Sequence, residues 1–140
     1  MTRLILFVIP LMIIVSSGCN GQIDVYGTVS FPDGTPVKKG SVFFQNKEVL
    51  AQGEIQPNGS YQLGMTKPHD GVLPGEYTVY ISGAVDVELP PPRENKNDPV
   101  QDPKVTPLIH QKFMSPQTSG LSCEVVKGMK LPYNITVEYP

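Results

Sequence analysis

The 140-residue sequence has no tryptophan, two histidines and two cysteines. A zinc site needs clustered histidine, cysteine or carboxylate ligands, and neither His69 nor His110 has a carboxylate at the spacing of a metal motif. No serine stands on the glycine-flanked turn that exposes the nucleophile of an α/β-hydrolase. The sequence therefore predicts no catalytic residue, no metal site and no cofactor, and we expect a protein that is not an enzyme.

Charge is also sparse, with 11 lysines and arginines against 13 aspartates and glutamates and a formal net charge of −2. A mildly acidic surface with its charges spread along the chain does not attract polyanions, so nucleic-acid binding is not expected. In contrast, 15 prolines and 13 glycines are present. This composition favours many turns and short strands over long helices.

The amino-terminal segment contains a hydrophobic run over residues 4–15. The run follows Arg3, includes Pro10 and leads through three small residues to Cys19. A run this short is typical of the hydrophobic region of a secretory signal rather than of a bilayer span. We therefore predict that residues 1–18 are an export signal peptide that is removed from the mature protein.

The residues before Cys19 resemble the lipobox of bacterial lipoproteins, in which small residues precede a cysteine that carries diacylglycerol. Ser16 occupies a position that is usually aliphatic in that motif. The resemblance implies that Cys19 is lipidated, that residues 19–22 form a tether, and that the chain is attached to a bacterial membrane in the cell envelope. Each buried methylene of the acyl chains would stabilise this attachment by about 0.8 kcal/mol. The alternatives are a plain secreted protein with an incidental cysteine and an uncleaved membrane anchor.

Lipidation of Cys19 would leave Cys123 without a disulfide partner in the chain, since the sequence has two cysteines. Cys123 lies between Leu121 and Val125 at strand spacing. We therefore expect Cys123 to be a small buried apolar residue rather than a reactive thiol.

Apolar residues recur at every second position in several short segments, which is the pattern of strands with one buried face. A clear example is Tyr77, Val79 and Ile81, which alternate with more polar residues. Asn58 and Gly59 favour a hairpin turn, because this pair adopts positive φ easily. About seven strands are predicted, in residues 23–31, 40–45, 49–56, 61–63, 76–82, 121–125 and 133–139.

Short strands that each hide one apolar face favour two antiparallel sheets packed face to face. The predicted fold class is all-β, a seven-stranded antiparallel β-sandwich over residues 23–140, preceded by the signal segment. Residues 89–107 contain six prolines. We predict that they form an extended insertion without a core of its own.

In their order and spacing, several short motifs resemble those of short bacterial lipoproteins with a transthyretin-like or carboxypeptidase-regulatory-like domain. The likeness covers most of residues 23–137, and segments 73–79 and 118–121 are the most characteristic. It implies a prealbumin-like or immunoglobulin-like sandwich at the cell envelope without peptidase activity, because such regulatory domains accompany an enzyme. The motifs are Val25-Tyr26-Gly27-Thr28-Val29, Asp33-Gly34-Thr35-Pro36-Val37, Gly40-Ser41-Val42-Phe43-Phe44, Asn58-Gly59-Ser60-Tyr61, Leu73-Pro74-Gly75-Glu76-Tyr77-Thr78-Val79 and Thr118-Ser119-Gly120-Leu121.

Tyr26 and Tyr80 point outward in the predicted strands and are the candidate binding residues. Tyrosine rings supply contact area at low entropy cost, and their hydroxyls can hydrogen-bond a sugar or a peptide. Our leading interpretation is a non-catalytic, membrane-anchored envelope lipoprotein that acts as a structural or protein-interaction module, with other envelope proteins as partners. The alternative is a small-ligand or carbohydrate-binding module at the cell surface, with glycans as partners.

Overall fold

The computed structural model describes residues 21–140, so the predicted export signal and the predicted lipidation site Cys19 lie outside the described residues. Within residues 21–140 the fold is all-β, as predicted, with nine strands, one turn of 3-10 helix and no α-helix. No helix in this part of the chain is long and apolar enough to cross a membrane. The strands are β1 (Tyr26–Ser30), β2 (Ser41–Gln45), β3 (Leu50–Glu54), β4 (Ser60–Gln62), β5 (Gly75–Ser82), β6 (Val85–Glu88), β7 (Lys104–Pro107), β8 (Leu121–Val125) and β9 (Ile135–Thr136), and the 3-10 turn is Gln111–Met114.

Four strands form an antiparallel sheet in the order β3, β2, β5, β8. The longest of them, β5, lies between β2 and β8. Its alternate residues Tyr77, Val79 and Ile81 are buried, while the residues between them are at least partly exposed. The predicted apolar face of this strand is therefore confirmed.

Three strands form a second sheet in the order β4, β1, β9. Strands β1 and β4 are antiparallel, with Tyr26 opposite Gln62, whereas β1 and β9 are parallel, with Val29 opposite Ile135. The segment that leads into β9 reaches the start of β1 first, where the Tyr133 amide donates to the Tyr26 carbonyl at 2.8 Å. It then runs in the same direction as β1, so the prediction of purely antiparallel pairing is wrong for this pair.

The buried faces of the two sheets share one hydrophobic core, which makes the molecule sandwich-like. Phe44 meets the ring of Tyr133 edge to face, with ring centroids 5.8 Å apart. Phe44, Leu63 and Ile81 are fully buried, and each contributes roughly 1.5–3 kcal/mol through burial. Cys123 is buried in the same core, as predicted, and it has no disulfide partner among the described residues.

The turn at Gly59 connects the two sheets at a corner of the molecule. Gly59 has a φ of 85°, so the predicted turn conformation is confirmed. Strands β3 and β4 nevertheless belong to different sheets, and an isolated bridge between Gln52 and Gly64 joins them. Gly53 permits this close approach, because a Cβ there would overlap the carbonyl group of Gln62. The predicted hairpin is therefore confirmed as a reversal of the chain at Gly59 with antiparallel backbone hydrogen bonds across it, although its two strands continue into different sheets.

Strands β6 and β7 form a separate two-stranded antiparallel ribbon. In its register Val87 lies opposite Val105, and Glu88 lies opposite Lys104. Residues 104–107 belong to the segment that was predicted as an extended insertion, so the structure adds a paired strand there. The ribbon contributes no residue to the hydrophobic core, and proline is tolerated in it because both of its strands are edge strands.

Candidate functional site

The structure places the two predicted binding tyrosines on different sheets. Tyr26 lies on β1 of the three-stranded sheet and is 42% exposed. Tyr80 lies on β5 of the four-stranded sheet, where its ring stacks on Phe43 with centroids 5.1 Å apart. Because the outer faces of the two sheets point away from the shared core in different directions, the two tyrosines do not form a joint platform. Of the two, Tyr26 is the one that lines a cleft.

Tyr26 lines a polar groove at the corner where β3 meets β4. The groove consists of two adjoining clefts of about 430 and 450 Å³ that share lining residues. Each volume lies within the usual range for small-molecule sites. We call this feature the corner groove and define it by Tyr26, Gln52, Glu54, Gln56, Gln62 and His69.

Strand alternation directs the polar side chains into the corner groove. Along β3 and just after it, alternate residues point into the core, and the residues between them, Gln52, Glu54 and Gln56, are exposed. On the other side of the groove, the Gln62 amide donates from Nε2 to Asp24 Oδ1 at 2.8 Å. This hydrogen bond fixes the Gln62 side chain and leaves its carbonyl oxygen free to accept.

A tight loop held by Asp70 forms a third wall of the corner groove. The Asp70 carboxylate accepts hydrogen bonds from the backbone amides of Lys67 at 2.9 Å, Met65 at 2.6 Å and Thr66 at 3.2 Å. These donors stabilise the ionised carboxyl and so lower the pKa of Asp70. The loop places His69 at the groove with a φ of 62°, a conformation that is uncommon for residues other than glycine.

The second histidine lies in a different part of the molecule. His110 precedes the 3-10 turn, where its Nδ1 accepts a hydrogen bond from the Lys112 amide at 3.2 Å. His69 and His110 line different clefts. Within residues 21–140, no three His, Cys, Asp or Glu side chains are grouped so that they could hold a metal ion.

The surroundings of Cys123 favour a structural role over a reactive one. Burial raises the pKa of the Cys123 thiol, which disfavours the reactive thiolate at neutral pH. The neighbouring Tyr133 hydroxyl donates to the Ser122 carbonyl at 3.1 Å, and the Tyr61 hydroxyl donates to the Tyr133 carbonyl at 2.5 Å. The first of these bonds joins the two sheets beside the thiol, the second holds Tyr133 against β4, and neither supplies an activating base.

The ribbon presents apolar side chains to solvent on one face. Val87 and Val105 are cross-strand partners on the same face and are 51% and 57% exposed. Leu89 follows Val87 at strand spacing and is 79% exposed. The other face carries Glu88 and Lys104, whose charged atoms lie 3.8 Å apart. We call the set of Val87, Leu89 and Val105 the apolar ribbon face.

Sequence reasoning identified one member of the corner groove, Tyr26. Gln52, Glu54 and Gln56 do recur at every second position, but any strand with one solvated face shows such polar alternation. What makes them a site is the meeting of β3 with β4 across a sheet corner. The turn that brings these two strands together has a local signal at Asn58 and Gly59, whereas the placement of β4 beside Tyr26 on β1 depends on tertiary structure and has none.

No protein-family model matches the chain, and neither a curated protein nor a solved structure matches it. The resemblance of the sequence motifs to transthyretin-like lipoproteins therefore remains a prediction. The function has to be inferred from the residues and geometry of the chain itself.

Proposed function

We propose that this protein is a non-catalytic lipoprotein of the bacterial cell envelope, anchored by a lipid at Cys19, whose domain is a protein-interaction module. The hydrophobic run in residues 4–15 and the small residues before Cys19 support the export signal and the anchor. The four-stranded and three-stranded sheets support a seven-stranded, prealbumin-like sandwich with the ribbon as an addition. This architecture agrees with the transthyretin-like or carboxypeptidase-regulatory-like resemblance of the motifs.

The tether between the anchor and the domain is short. Ile23 pairs with Val72 through two backbone hydrogen bonds of 2.7 and 2.8 Å, so residues 20–22 are left to link Cys19 to the domain. At about 3.3 Å per residue they span roughly 10 Å. The end of the sandwich that contains Ile23 then lies close to the lipid surface.

The ribbon lies at the opposite end of the sandwich from the tether. Strand β5 begins at Gly75, three residues after the Ile23 partner Val72, and ends at Ser82, three residues before β6 starts. At a rise of about 3.3 Å per residue, β5 separates the two ends by about 23 Å. The bilayer that holds the tether therefore does not cover the apolar ribbon face.

The exposure of the apolar ribbon face is the observation that carries the interaction proposal. A strand pair with apolar residues at alternate positions normally buries that face, yet Val87, Leu89 and Val105 are each more than half exposed. A two-stranded ribbon alone is only marginally stable in water. We expect an envelope protein to cover this face with apolar side chains of its own, and the free edges of the ribbon allow an extended segment of that protein to add as a strand.

Mass spectrometry of the mature amino terminus tests the anchor. We expect a chain that begins at Cys19 with the added mass of diacylglycerol, and a Cys19→Ser variant that moves from the membrane fraction to the soluble fraction. The melting temperature of the domain should not change, because Cys19 precedes the paired strands. An unmodified terminus, or cleavage at another position, would refute the anchor without affecting the sandwich.

Site-specific photo-crosslinking in intact envelopes tests the interaction. A photoreactive residue at Val105 should give a discrete crosslinked product, because this position lies on the apolar ribbon face. The matched control is Thr106, the next residue of β7, whose side chain points to the other face. Equal crosslinking from both positions, or none from Val105, would contradict the proposal.

A further inference from the structure

We infer that the corner groove binds a neutral oligosaccharide chain. This site is distinct from the apolar ribbon face, and its ligand makes no use of the anchor at Cys19. The two adjoining clefts of about 430 and 450 Å³ form one continuous surface depression, because Glu54, Gln56, Gln62 and His69 line both of them. The groove therefore offers a concave binding surface, in contrast to the outward-facing ribbon.

The lining of the corner groove matches the hydrogen-bonding chemistry of sugar hydroxyls. Gln52, Gln56 and Gln62 each carry an amide that both donates and accepts, and the His69 ring can also do both. A sugar hydroxyl likewise donates and accepts, so neighbouring hydroxyls can pair with successive amides. An apolar ligand would instead leave these polar groups without partners, which is costly when water is displaced.

The charges around the corner groove select against anionic ligands. Asp24 and Glu54 place two carboxylates on the groove, and Lys67 is the cation of its loop wall. The Asp24 carboxylate has one direct partner in the described structure, the uncharged amide of Gln62. A phosphorylated or uronic-acid chain would meet this excess of negative charge, whereas a neutral glycan would not.

Tyr26 supplies the apolar surface that a sugar ring requires. Its side chain stands on the outer face of β1, opposite Gln62 in the antiparallel pair, and it is 42% exposed. The aromatic ring can pack against the C–H face of a sugar, while its hydroxyl bonds to a ring substituent. Unlike Tyr80, which stacks on Phe43, Tyr26 has no aromatic partner among the described stacks.

The extent of the groove indicates a chain rather than a single sugar. Gln52 and Gln56 are four residues apart on an extended segment, a distance of about 13 Å, and this is longer than one pyranose ring. Glu54 stands between them on the same face of the strand, and Gly53 lets the strand lie against the backbone of Gln62, because a Cβ at Gly53 would overlap the Gln62 carbonyl. Polar side chains thus follow the groove along a length that suits two or more linked sugars.

Titration of the full-length chain in detergent with tetrasaccharides tests this inference. The probes are chitotetraose, cellotetraose and maltotetraose, with tetragalacturonate as the anionic comparison, each followed by NMR of the backbone and glutamine side-chain amides. We expect at least one neutral probe to shift the side-chain amides of Gln52, Gln56 and Gln62, and tetragalacturonate to leave them unchanged. Tyr26→Ala should weaken binding at least about tenfold, whereas Tyr26→Phe should retain most of the affinity.

Gln56→Ala should also weaken binding. Its matched control is Gln101→Ala, which removes an exposed glutamine from the connection between β6 and β7. Circular dichroism melting shows whether each variant keeps the wild-type fold, so that a loss of binding is read only from folded protein. Absence of shifts up to about 10 mM of every neutral probe, well above a millimolar Kd, would overturn the inference. Binding that is unaffected by both Tyr26→Ala and Gln56→Ala would also overturn it.

Discussion

Asp70 shows how one carboxylate can organise a loop. It accepts three backbone N–H groups from residues 65–67, and this network holds the loop that positions His69 at the corner groove. Backbone donors favour the charged form of the carboxyl, which is why the pKa of Asp70 lies below its ordinary value of 3.8. The contribution of this network to stability must therefore depend on pH.

We predict that Asp70→Asn lowers the stability of the domain at neutral pH and that this difference disappears in acid. For a carboxyl with a lowered folded-state pKa, the stabilisation is complete above the unfolded-state pKa and is lost as pH falls through the folded-state pKa. The melting temperatures of both proteins should therefore differ above about pH 5 and converge as the pH falls through the lowered folded-state pKa of Asp70. A difference that is constant across this range would show that the charge of Asp70 is not responsible.

At the scale of the elements, the close approach between β1 and the segment before β9 depends on Gly27. A Cβ at this position would overlap the backbone carbonyl of Tyr133, the same group that accepts the Tyr61 hydroxyl. Backbone atoms cannot yield as the end of a flexible side chain can. The short parallel pairing of β1 with β9 thus depends on the absence of a side chain at one residue.

We predict that Gly27→Ala destabilises the domain by about 3 kcal/mol, the upper range for overpacking, and that urea denaturation will measure this loss. The matched control is Gly21→Ala, because a Cβ at Gly21 meets nothing within 4 Å. The control should unfold at the wild-type urea concentration. If both variants unfold together, β1 and Tyr133 are farther apart in solution than in the structure.

The strands with a buried face could be predicted because the alternation of apolar and polar residues within each strand shows which side chains are buried. Val25 just before β1, Val29 in β1 and Val79 in β5 are fully buried at the positions that period-two alternation indicates. The parallel partner of β1 could not be predicted in this way, because the two residues of β9 carry no sign of direction. The assignment of β3 and β4 to different sheets could not be predicted either, because a turn at Gly59 can connect two strands of one sheet or of two sheets.

The pairing of β6 with β7 could not be predicted for a different reason. Val85, Val87 and Leu89 alternate with acidic residues, as a strand would, but six prolines in residues 89–107 argue against pairing. In the structure five of these prolines lie in residues 89–103, which connect the two strands of the ribbon, and Pro107 is the last residue of β7. The alternation of apolar and acidic residues thus predicts the apolar ribbon face. It does not predict that this face is exposed, because exposure depends on the direction in which the ribbon extends from the sandwich.

At the scale of the whole molecule, the two proposed binding surfaces occupy separate parts of the domain. The corner groove lies beside β1, β3 and β4, and the ribbon extends from the end of β5. The hydrophobic core contains no residue between Ala84 and Ile109, so the ribbon is attached to the sandwich without being part of its packing. Stability and ribbon function should therefore be separable by mutation.

We predict that the sandwich folds without the ribbon when residues 87–105 are replaced by Asn-Gly. This pair forms a tight turn between Asp86 and Thr106, which are register partners, and the exposed Lys39–Asp86 ion pair at 3.0 Å is retained. Because no core residue is removed, the free energy of unfolding should change by no more than about 1 kcal/mol. Thermal melting should stay cooperative and oligosaccharide binding should persist. Loss of cooperative melting would instead show that the ribbon stabilises the sandwich through contacts beyond its own two strands.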